Sequence, residues 1–311
     1  MLPSLTAIVF LLATLSGPAA WAAEQETATS AGPPLTAGPV ITDTAVPEPT
    51  GHLTINPYWF VNFTGGKLSA NWRRVSAGGD FFSLNMPTRI IYGPFPNVEV
   101  YLIVPYLHNW AANVNLPGPQ GQRAANFGGL GDTSFTVKYQ FWEETARRPT
   151  ITGLFTVTFP TGHTNRLNPG NLGTDLLGGG VYTFTSGLNM SKWVAPFYLY
   201  ANLWYGISTT GLVNRQPRRL PDQVTVNLAA EWVLGPPHWV LLGELYSTWE
   251  PWVFLGGTTN LAPAMSMLSA LFGVEYVLNF RWNFTLAFTT PLTGKNMPYT
   301  YSPVFTMNYT F

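Results

Sequence analysis

An all-β chain folded as a 12-stranded antiparallel transmembrane barrel of the outer-membrane kind is what three features of the sequence predict. Charge is scarce although no long apolar run occurs, apolar and polar residues alternate segment after segment, and the connections alternate in length. Charged residues make up 10% and aromatics 15% of the 311 residues, against roughly 25% charged in soluble domains. Mean hydropathy is only +0.10, and beyond the N-terminus no run of about 18 apolar residues appears, which excludes helical spans. Apolar surface without apolar runs is what period-two alternation produces.

Net charge is zero and Lys and Arg do not cluster, so the electrostatic footprint for nucleic acid is missing. There is no cysteine, which excludes disulfides, thiolate metal sites and a cysteine nucleophile. No motif for a cofactor is present, and none is expected. Leu5 to Leu15 is an apolar core followed by Ser16-Gly17-Pro18 and the small-x-small site Ala20-Trp21-Ala22, the pattern of a cleaved secretory signal over residues 1–22. Its n-region, Met1-Leu2-Pro3-Ser4, departs from that pattern in carrying no Lys or Arg. Residues 23–50 are rich in Ala, Thr, Pro and Glu without periodicity, as expected of a disordered periplasmic lead or a loosely held lumen plug.

The barrel is expected over residues 51–311. Twelve alternating segments, each ended by Gly, Pro, Asn or Asp, fall at about 52–63, 80–92, 97–108, 131–142, 150–160, 174–188, 193–208, 222–234, 238–252, 265–278, 281–291 and 300–311. In the first, Pro57 interrupts the pattern and Tyr58 to Phe63 is apolar on both faces. After the even-numbered segments come short links: Gly93 to Pro96, Glu143 to Pro149, Met190 to Lys192, Gly235 to Pro237 and Asn279 to Phe280. Longer stretches follow the odd-numbered ones, such as Asn109 to Leu130 and Thr209 to Pro221. An even strand number, short periplasmic turns and longer outer loops are the habits of outer-membrane barrels. A soluble sandwich has no reason to sort its loops by parity.

Alternation also assigns the two faces. In the last segment Tyr301, Pro303, Phe305, Met307, Tyr309 and Phe311 face lipid, while Ser302, Val304, Thr306, Asn308 and Thr310 face the lumen. Trp282, Phe284, Leu286 and Phe288 face out in the eleventh, leaving Arg281, Asn283, Thr285, Ala287 and Thr289 inside. The eighth segment turns Val226, Leu228 and Trp232 out and Asn227 and Glu231 in; the fourth turns Phe135, Val137, Tyr139 and Phe141 out and Asp132, Ser134, Thr136 and Lys138 in. Nearly every strand charge therefore falls inside, which matters because Lys or Arg on the lipid face near the midplane costs about 2–4 kcal/mol.

Candidate functional residues are those the alternation turns inward: Arg89, Glu99, Lys138, Asp132, Asn202, Glu231, Glu244, Glu275 and Arg281. Arg89, Glu99 and Lys138 should meet near the periplasmic end of the second to fourth strands, and Arg281 should neighbour Glu275 across the tenth-to-eleventh turn. Opposed charges can form a gate or selectivity ring; equally, they can be a network that stiffens the barrel floor. Glu250 and Asp175 add acid to the lumen, although Asp132 and Asp175 each follow Gly near a strand start, where Asp often bonds its own backbone. Tyr101, Tyr198, Tyr200, Trp204 and Tyr246 can stack on a ring-bearing solute or simply fill the barrel. The signals for catalysis are poor: among the four His no pair has zinc spacing, there is no Gly-x-Ser-x-Gly, and the hydrolase reading rests on His108 with a serine such as Ser134, or on His163.

Several short motifs in succession carry a resemblance. Tyr92-Gly93-Pro94-Phe95-Pro96-Asn97-Val98-Glu99-Val100, Gly128-Gly129-Leu130-Gly131-Asp132-Thr133 running into Lys138-Tyr139, Phe159-Pro160-Thr161-Gly162, Ala201-Asn202-Leu203-Trp204-Tyr205-Gly206 and Gly243-Glu244-Leu245 resemble, over about residues 55–311, the family known as putative MetA-pathway of phenol degradation. That resemblance implies a Gram-negative outer-membrane transporter linked to aromatic-compound catabolism, and it supplies no defined site residues. The expected function is passive, selective passage of small solutes, aromatic or hydrophobic ones included. The alternatives are a lipid-modifying hydrolase and a closed structural or adhesive barrel. Expected partners are outer-membrane lipid, a small-molecule solute, periplasmic chaperones and the barrel-assembly machinery. The last of these would read Phe311 as an end signal, a role implied by resemblance to outer-membrane proteins generally.

Overall fold

The computed structural model describes residues 36–115, 122–234, 239–250, 253–255, 260–262 and 264–311. The signal segment expected at 1–22, residues 23–35 of the lead and the Gly235 to Pro237 turn lie outside the described residues. Twelve strands form the wall: β1 Leu53–Leu68, β2 Asp80–Phe95, β3 Val98–Asn115, β4 Thr133–Trp142, β5 Thr150–Phe159, β6 Thr183–Val194, β7 Phe197–Ser208, β8 Gln223–Val233, β9 Trp239–Glu250, β10 Met265–Val277, β11 Trp282–Lys295 and β12 Pro298–Thr310. Each pairs antiparallel with its neighbours in chain order, and β12 returns to β1 through Thr54↔Thr310 and Thr64↔Thr300. Closure leaves no open edge, which is what a sheet in hydrocarbon requires. Among the described residues no helix is long and apolar enough to cross a membrane.

The two faces follow the period-two pattern. Along β8, Asn227, Ala229 and Glu231 are buried while Val226, Leu228 and Trp232 are exposed; β12 buries Ser302, Val304, Thr306, Asn308 and Thr310. Outward aromatics gather toward both ends. Phe197 meets Trp232, Trp239 meets Tyr276 and Trp282 meets Tyr309 near the short turns, whereas Phe63 meets Tyr301 and Phe82 meets Trp110 toward the long loops. Paired aromatic girdles around an apolar band are the outer signature of a membrane barrel.

Four connections differ from the sequence expectation, one of them the turn at 278–281, which has four residues rather than two. Asn109 to Leu130 is not a free loop: β3 runs on to Asn115, and Gln122–Leu130 returns against it with Ala111↔Ala125 and Tyr106↔Leu130. Only the first part of β3, Val98 to Ile103, pairs β4. The sixth strand starts at Thr183 rather than 174 and turns at Ala195-Pro196 rather than Met190 to Lys192. Pro196 has no N–H to give a ladder, so the strand can continue to its edge and no further. Between β11 and β12 the link shrinks to Asn296-Met297, with Asn296 at φ 56, a left-handed position that Asn tolerates.

Residues 174–181, read as the start of a strand, instead fold inward at the long-loop end, here called the mouth. Leu177 and Val181 are buried there, Leu177 N–H donates to the His163 carbonyl at 2.9 Å, and inward Asn109 donates to the Thr174 carbonyl at 3.0 Å. Asp132 holds this segment. It accepts Gly162 N–H at 2.9 Å and Gly179 N–H at 2.6 Å, and a Cβ at Gly178 would sit 2.3 Å from its Oδ1, so this close approach requires glycine.

Leu228, at mid-strand, lies opposite Leu245 and Ala201 on the outer face. Leu228→Arg is expected to destabilise the barrel by about 2–4 kcal/mol in reversible guanidinium unfolding from lipid vesicles. Trp72→Arg, in the exposed connection between β1 and β2, should cost little; equal effects at the two positions would contradict the lipid-facing assignment.

Candidate functional site: a lumen occupied by the N-terminal segment

All residues from Thr36 to Ala45 are buried, and they are buried inside the barrel. The segment begins near the short-turn end, called the floor, where Thr36 Oγ1 donates to Glu231 Oε2 at 2.7 Å and Ala37 N–H to Glu275 Oε1 at 2.6 Å. It rises to mid-height and returns. On the way down Ala45 N–H donates to Ser191 Oγ at 2.7 Å and Glu48 N–H to Glu99 Oε2 at 2.8 Å. It leaves the lumen at Thr50, which bridges Gly93. A Cβ at Gly93 would lie 2.3 Å from the Pro49 carbonyl oxygen, so only glycine lets the departing chain pass.

At the top of this path Glu244 receives three successive amides. Val40 N–H donates at 2.6 Å, Ile41 N–H at 3.1 Å to both oxygens, and Thr42 N–H at 2.6 Å. Consecutive N–H groups converging on one anion form a nest, and bonds to a charged acceptor are the stronger kind. Beside it Asn202 reads the main chain of Asp43 in both directions, accepting its N–H at 2.8 Å and donating to its carbonyl at 2.8 Å. Val40 and Ile41 turn their side chains into an apolar cluster with Tyr58, Phe60, Leu242, Tyr246, Leu271 and Val304. This explains the apolar character of both faces around Tyr58: the inner face packs on the inserted segment.

Asp43 completes a buried ion network. It lies 3.1 Å from Arg89 and 3.4 Å from Lys138, which lie 3.3 Å and 3.0 Å from Glu99. All four side chains are fully buried, so two cations balance two anions. Arg89 also lies 3.7 Å above the Tyr101 ring, and Asn189 donates to Asp43 Oδ2 at 2.9 Å. Glu48 sits next to this network. Burial, reinforced by the charge of Glu99, pushes its carboxyl up to about 8, so it holds its proton at neutral pH and leaves the balance intact.

Of the residues expected in the lumen, Arg89, Glu99 and Lys138 come together, and Asn202, Glu231, Glu244 and Glu275 line the wall against the inserted segment. Asp132 serves the mouth loop instead. Arg281 is a correction: it is exposed in the 278–281 turn, its guanidinium 5.2 Å from the Phe280 ring, while Glu275 pairs Thr285. The turn has four residues rather than two, which takes Arg281 out of reach of Glu275, although its carbonyl still accepts Thr310 N–H at 3.0 Å. Asp175 likewise lies in a loop, accepting Asn168 N–H at 2.7 Å. Tyr101, Tyr198, Tyr200, Trp204 and Tyr246 are all buried inside. His108 belongs to the outward face of β3, stacked on Trp110, whereas Ser134 is buried on the lumen face of β4, so the two sit on opposite sides of the wall. Among the described residues no group of three or more His, Asp or Glu is placed to hold a metal.

Asp43 was missed from sequence, although a signal existed. The wall offers Arg89 and Lys138 but only Glu99 nearby, and a buried cation normally has a partner. Asp43 is one of the few charges in the lead.

Glu244→Ala orphans three buried amides, each worth about 1–3 kcal/mol. Hydrogen exchange of peptides covering 36–50 is expected to accelerate at least about 100-fold while the wall strands stay protected. Unchanged exchange would show that Glu244 does not hold the segment.

No curated protein matches the chain. Among solved structures, an outer membrane channel from Pseudomonas putida F1 is similar with a TM-score of 0.70 at 14% identity, covering 85% of this chain and 97% of that one. The translocator domain of the autotransporter NalP from Neisseria meningitidis has a TM-score of 0.44 at 11% identity over 84% and 89% of the two chains. For the Pseudomonas putida toluene transporter TodX the values are 0.42, 7%, 86% and 90%. The first likeness shows a shared barrel fold. The model of the family described as "Putative MetA-pathway of phenol degradation" matches residues 89–291, and the chain belongs to that family.

Proposed function

We propose that this protein is an outer-membrane channel for passive, selective passage of small solutes, aromatic or hydrophobic compounds being the class that suits its lumen, and that residues 36–50 are the obstruction of its closed state. One observation carries the reading: the wall closes by strand pairing alone, and the lumen it encloses is wide enough to hold a polypeptide segment. A purely structural barrel of smaller size fills its interior with its own side chains. Here the filling is a strip of chain held mainly through side chains of the wall, which water can replace. The Pseudomonas putida neighbour, described as an outer membrane channel, and the family's link to phenol degradation agree with this reading.

The short turns, the start of the first strand and the end of the last then face the periplasm, and the mature chain follows a cleaved signal over residues 1–22. At that side an 800 Å³ vestibule opens around Glu48, Gln140, Lys192, Trp193 and Tyr198. Planar-bilayer recording tests the proposal. The full chain is expected to show small or brief currents and a chain lacking residues 36–49 a larger, sustained conductance. Absence of current in both forms would favour the closed structural barrel.

We further propose Phe311 as the end signal for barrel assembly. It is exposed, its N–H donates to the Leu53 carbonyl at 2.9 Å, and it thus lies where the last strand meets the first. Residues appended after Phe311 should lower the amount of heat-modifiable barrel in the membrane fraction several-fold, and normal levels of the extended chain would contradict the role.

A further inference from the structure

The lipid side of the wall carries a feature that passage of a solute does not use. Beyond the end of β1 the chain turns at residues 69–73 and lays Arg74-Val75 back against that strand, with Lys67↔Val75 and Leu68↔Arg74. From there Arg74 reaches over the outer face. Its Nη2 donates to the Gly65 carbonyl at 2.7 Å, and the guanidinium carbon lies 4.3 Å from the centre of the Tyr299 ring. A Cβ at Gly65 would stand 2.7 Å from that nitrogen and 3.2 Å from the Tyr301 ring. Glycine at this position therefore leaves room for the guanidinium beside Tyr301, a lipid-facing residue of the upper girdle that stacks on Phe63.

A cation in that place lacks an anion. Lys67 and Lys295 stand at the same height, since Lys67 faces Pro298 across β1 and β12, and Pro298 follows Lys295 by the two-residue turn. Arg73 adds a fourth positive charge. From Thr64 to Asp80 and from Leu292 to Tyr301 the sequence holds a single carboxylate, Asp80, and it accepts Asn113 Nδ2 at 2.6 Å. None of the four cations forms an ion pair among the described residues. Lys295 and Lys67 lie two strands apart, about 10 Å, which is wider than one phosphate. Directly toward the midplane lie the rings of Phe63, Tyr301 and Phe288, at the depth where acyl chains begin.

We infer that Arg74, with Lys67 and Lys295 beside it, binds the phosphorylated headgroup of an outer-leaflet glycolipid of the lipid A class, whose acyl chains run along the aromatic row. The planar fork of Arg matches phosphate oxygens two at a time, while Lys supplies a point charge. The Tyr299 ring and the Gly65 carbonyl hold that fork in place before the lipid arrives, which lowers the ordering cost of binding. The site rests on the orientation of the barrel, with its long loops outward, and not on solute passage.

Native mass spectrometry of the full chain released from detergent micelles tests the site with diphosphorylated lipid A, its dephosphorylated form and phosphatidylglycerol. The parent is expected to retain diphosphorylated lipid A in preference to the other two. Arg74→Ala should weaken retention about 10-fold, the low end for one charge-assisted hydrogen bond, and Lys67→Ala or Lys295→Ala about 5-fold, as for one surface charge beside anionic lipid. Gly65→Val keeps every charge and displaces only the mobile end of Arg74, so it should match Arg74→Ala. Each variant is read as folded, heat-modifiable barrel, and the comparison of lipids needs the parent alone, so it stands whichever variants assemble. Parent-like binding by Gly65→Val would show that net charge alone acts and overturns the site, as does equal retention of dephosphorylated lipid A or no retention by the parent. Equal retention of phosphatidylglycerol overturns the glycolipid assignment.

Discussion

A strip of polypeptide can occupy a barrel lumen only if its main-chain N–H groups find acceptors, because the wall has already spent its own carbonyls on its ladders. In this protein carboxylates meet that constraint. Glu244 takes the amides of Val40, Ile41 and Thr42, Glu275 that of Ala37 and Glu99 that of Glu48, while Glu231 takes the hydroxyl of Thr36. The acidic lining that alternation places inside is therefore less a free selectivity surface than a row of acceptors already in use. Asn202 and Ser191 do the same work without charge.

The opposite wall is organised by charge balance. Arg89 and Lys138 face inward from β2 and β4 with Glu99 between them, an arrangement that leaves one positive charge uncompensated in a place where charges are costly to bury. Asp43 supplies the missing anion from the inserted segment. Withdrawing the segment would leave an excess cation on one side and, on the other, Glu244 and Glu275 without the amides of the segment and Glu231 with the Tyr200 hydroxyl alone, so its release has to be accompanied by entry of water. A seat built from polar bonds can exchange them for water with modest net change, whereas an apolar seat could not. The apolar contact is confined to the tip, Val40 and Ile41.

The family motifs acquire physical reasons in this frame. Gly93 lets residues 48–50 cross the wall's end. Asp132, Thr161 and Gly162, from two motifs distant in sequence, bind one another: Thr161 Oγ1 donates to the Gly131 carbonyl at 2.8 Å while Asp132 accepts from Gly162, fixing the loop that folds into the mouth. Asn202 and Glu244, from two others, hold the segment. The motifs that carry the family resemblance thus serve the inserted segment and the loop folded into the mouth.

Strand number and face assignment were legible in the sequence because period-two alternation is a local property, and each residue's side follows from its neighbours; the sorting of connections by length was legible only in part, since the link between β11 and β12 has two residues. Even the inward cluster of Arg89, Glu99 and Lys138 could be read that way, since a tight turn sets its register. The register differs where the turn is longer than expected, as at Arg281, because two more residues in the turn shift the pairing and give Glu275 a different partner, Thr285. What fills the lumen was decided only by the tertiary structure. Residues 36–50 have no periodicity, and their acceptors lie 51 to 238 residues away along the chain, brought together by closure of the barrel. Composition leaves such a segment free to be a lead or a plug, and only the barrel's own interior, with its unmatched cation and waiting carboxylates, selects between them.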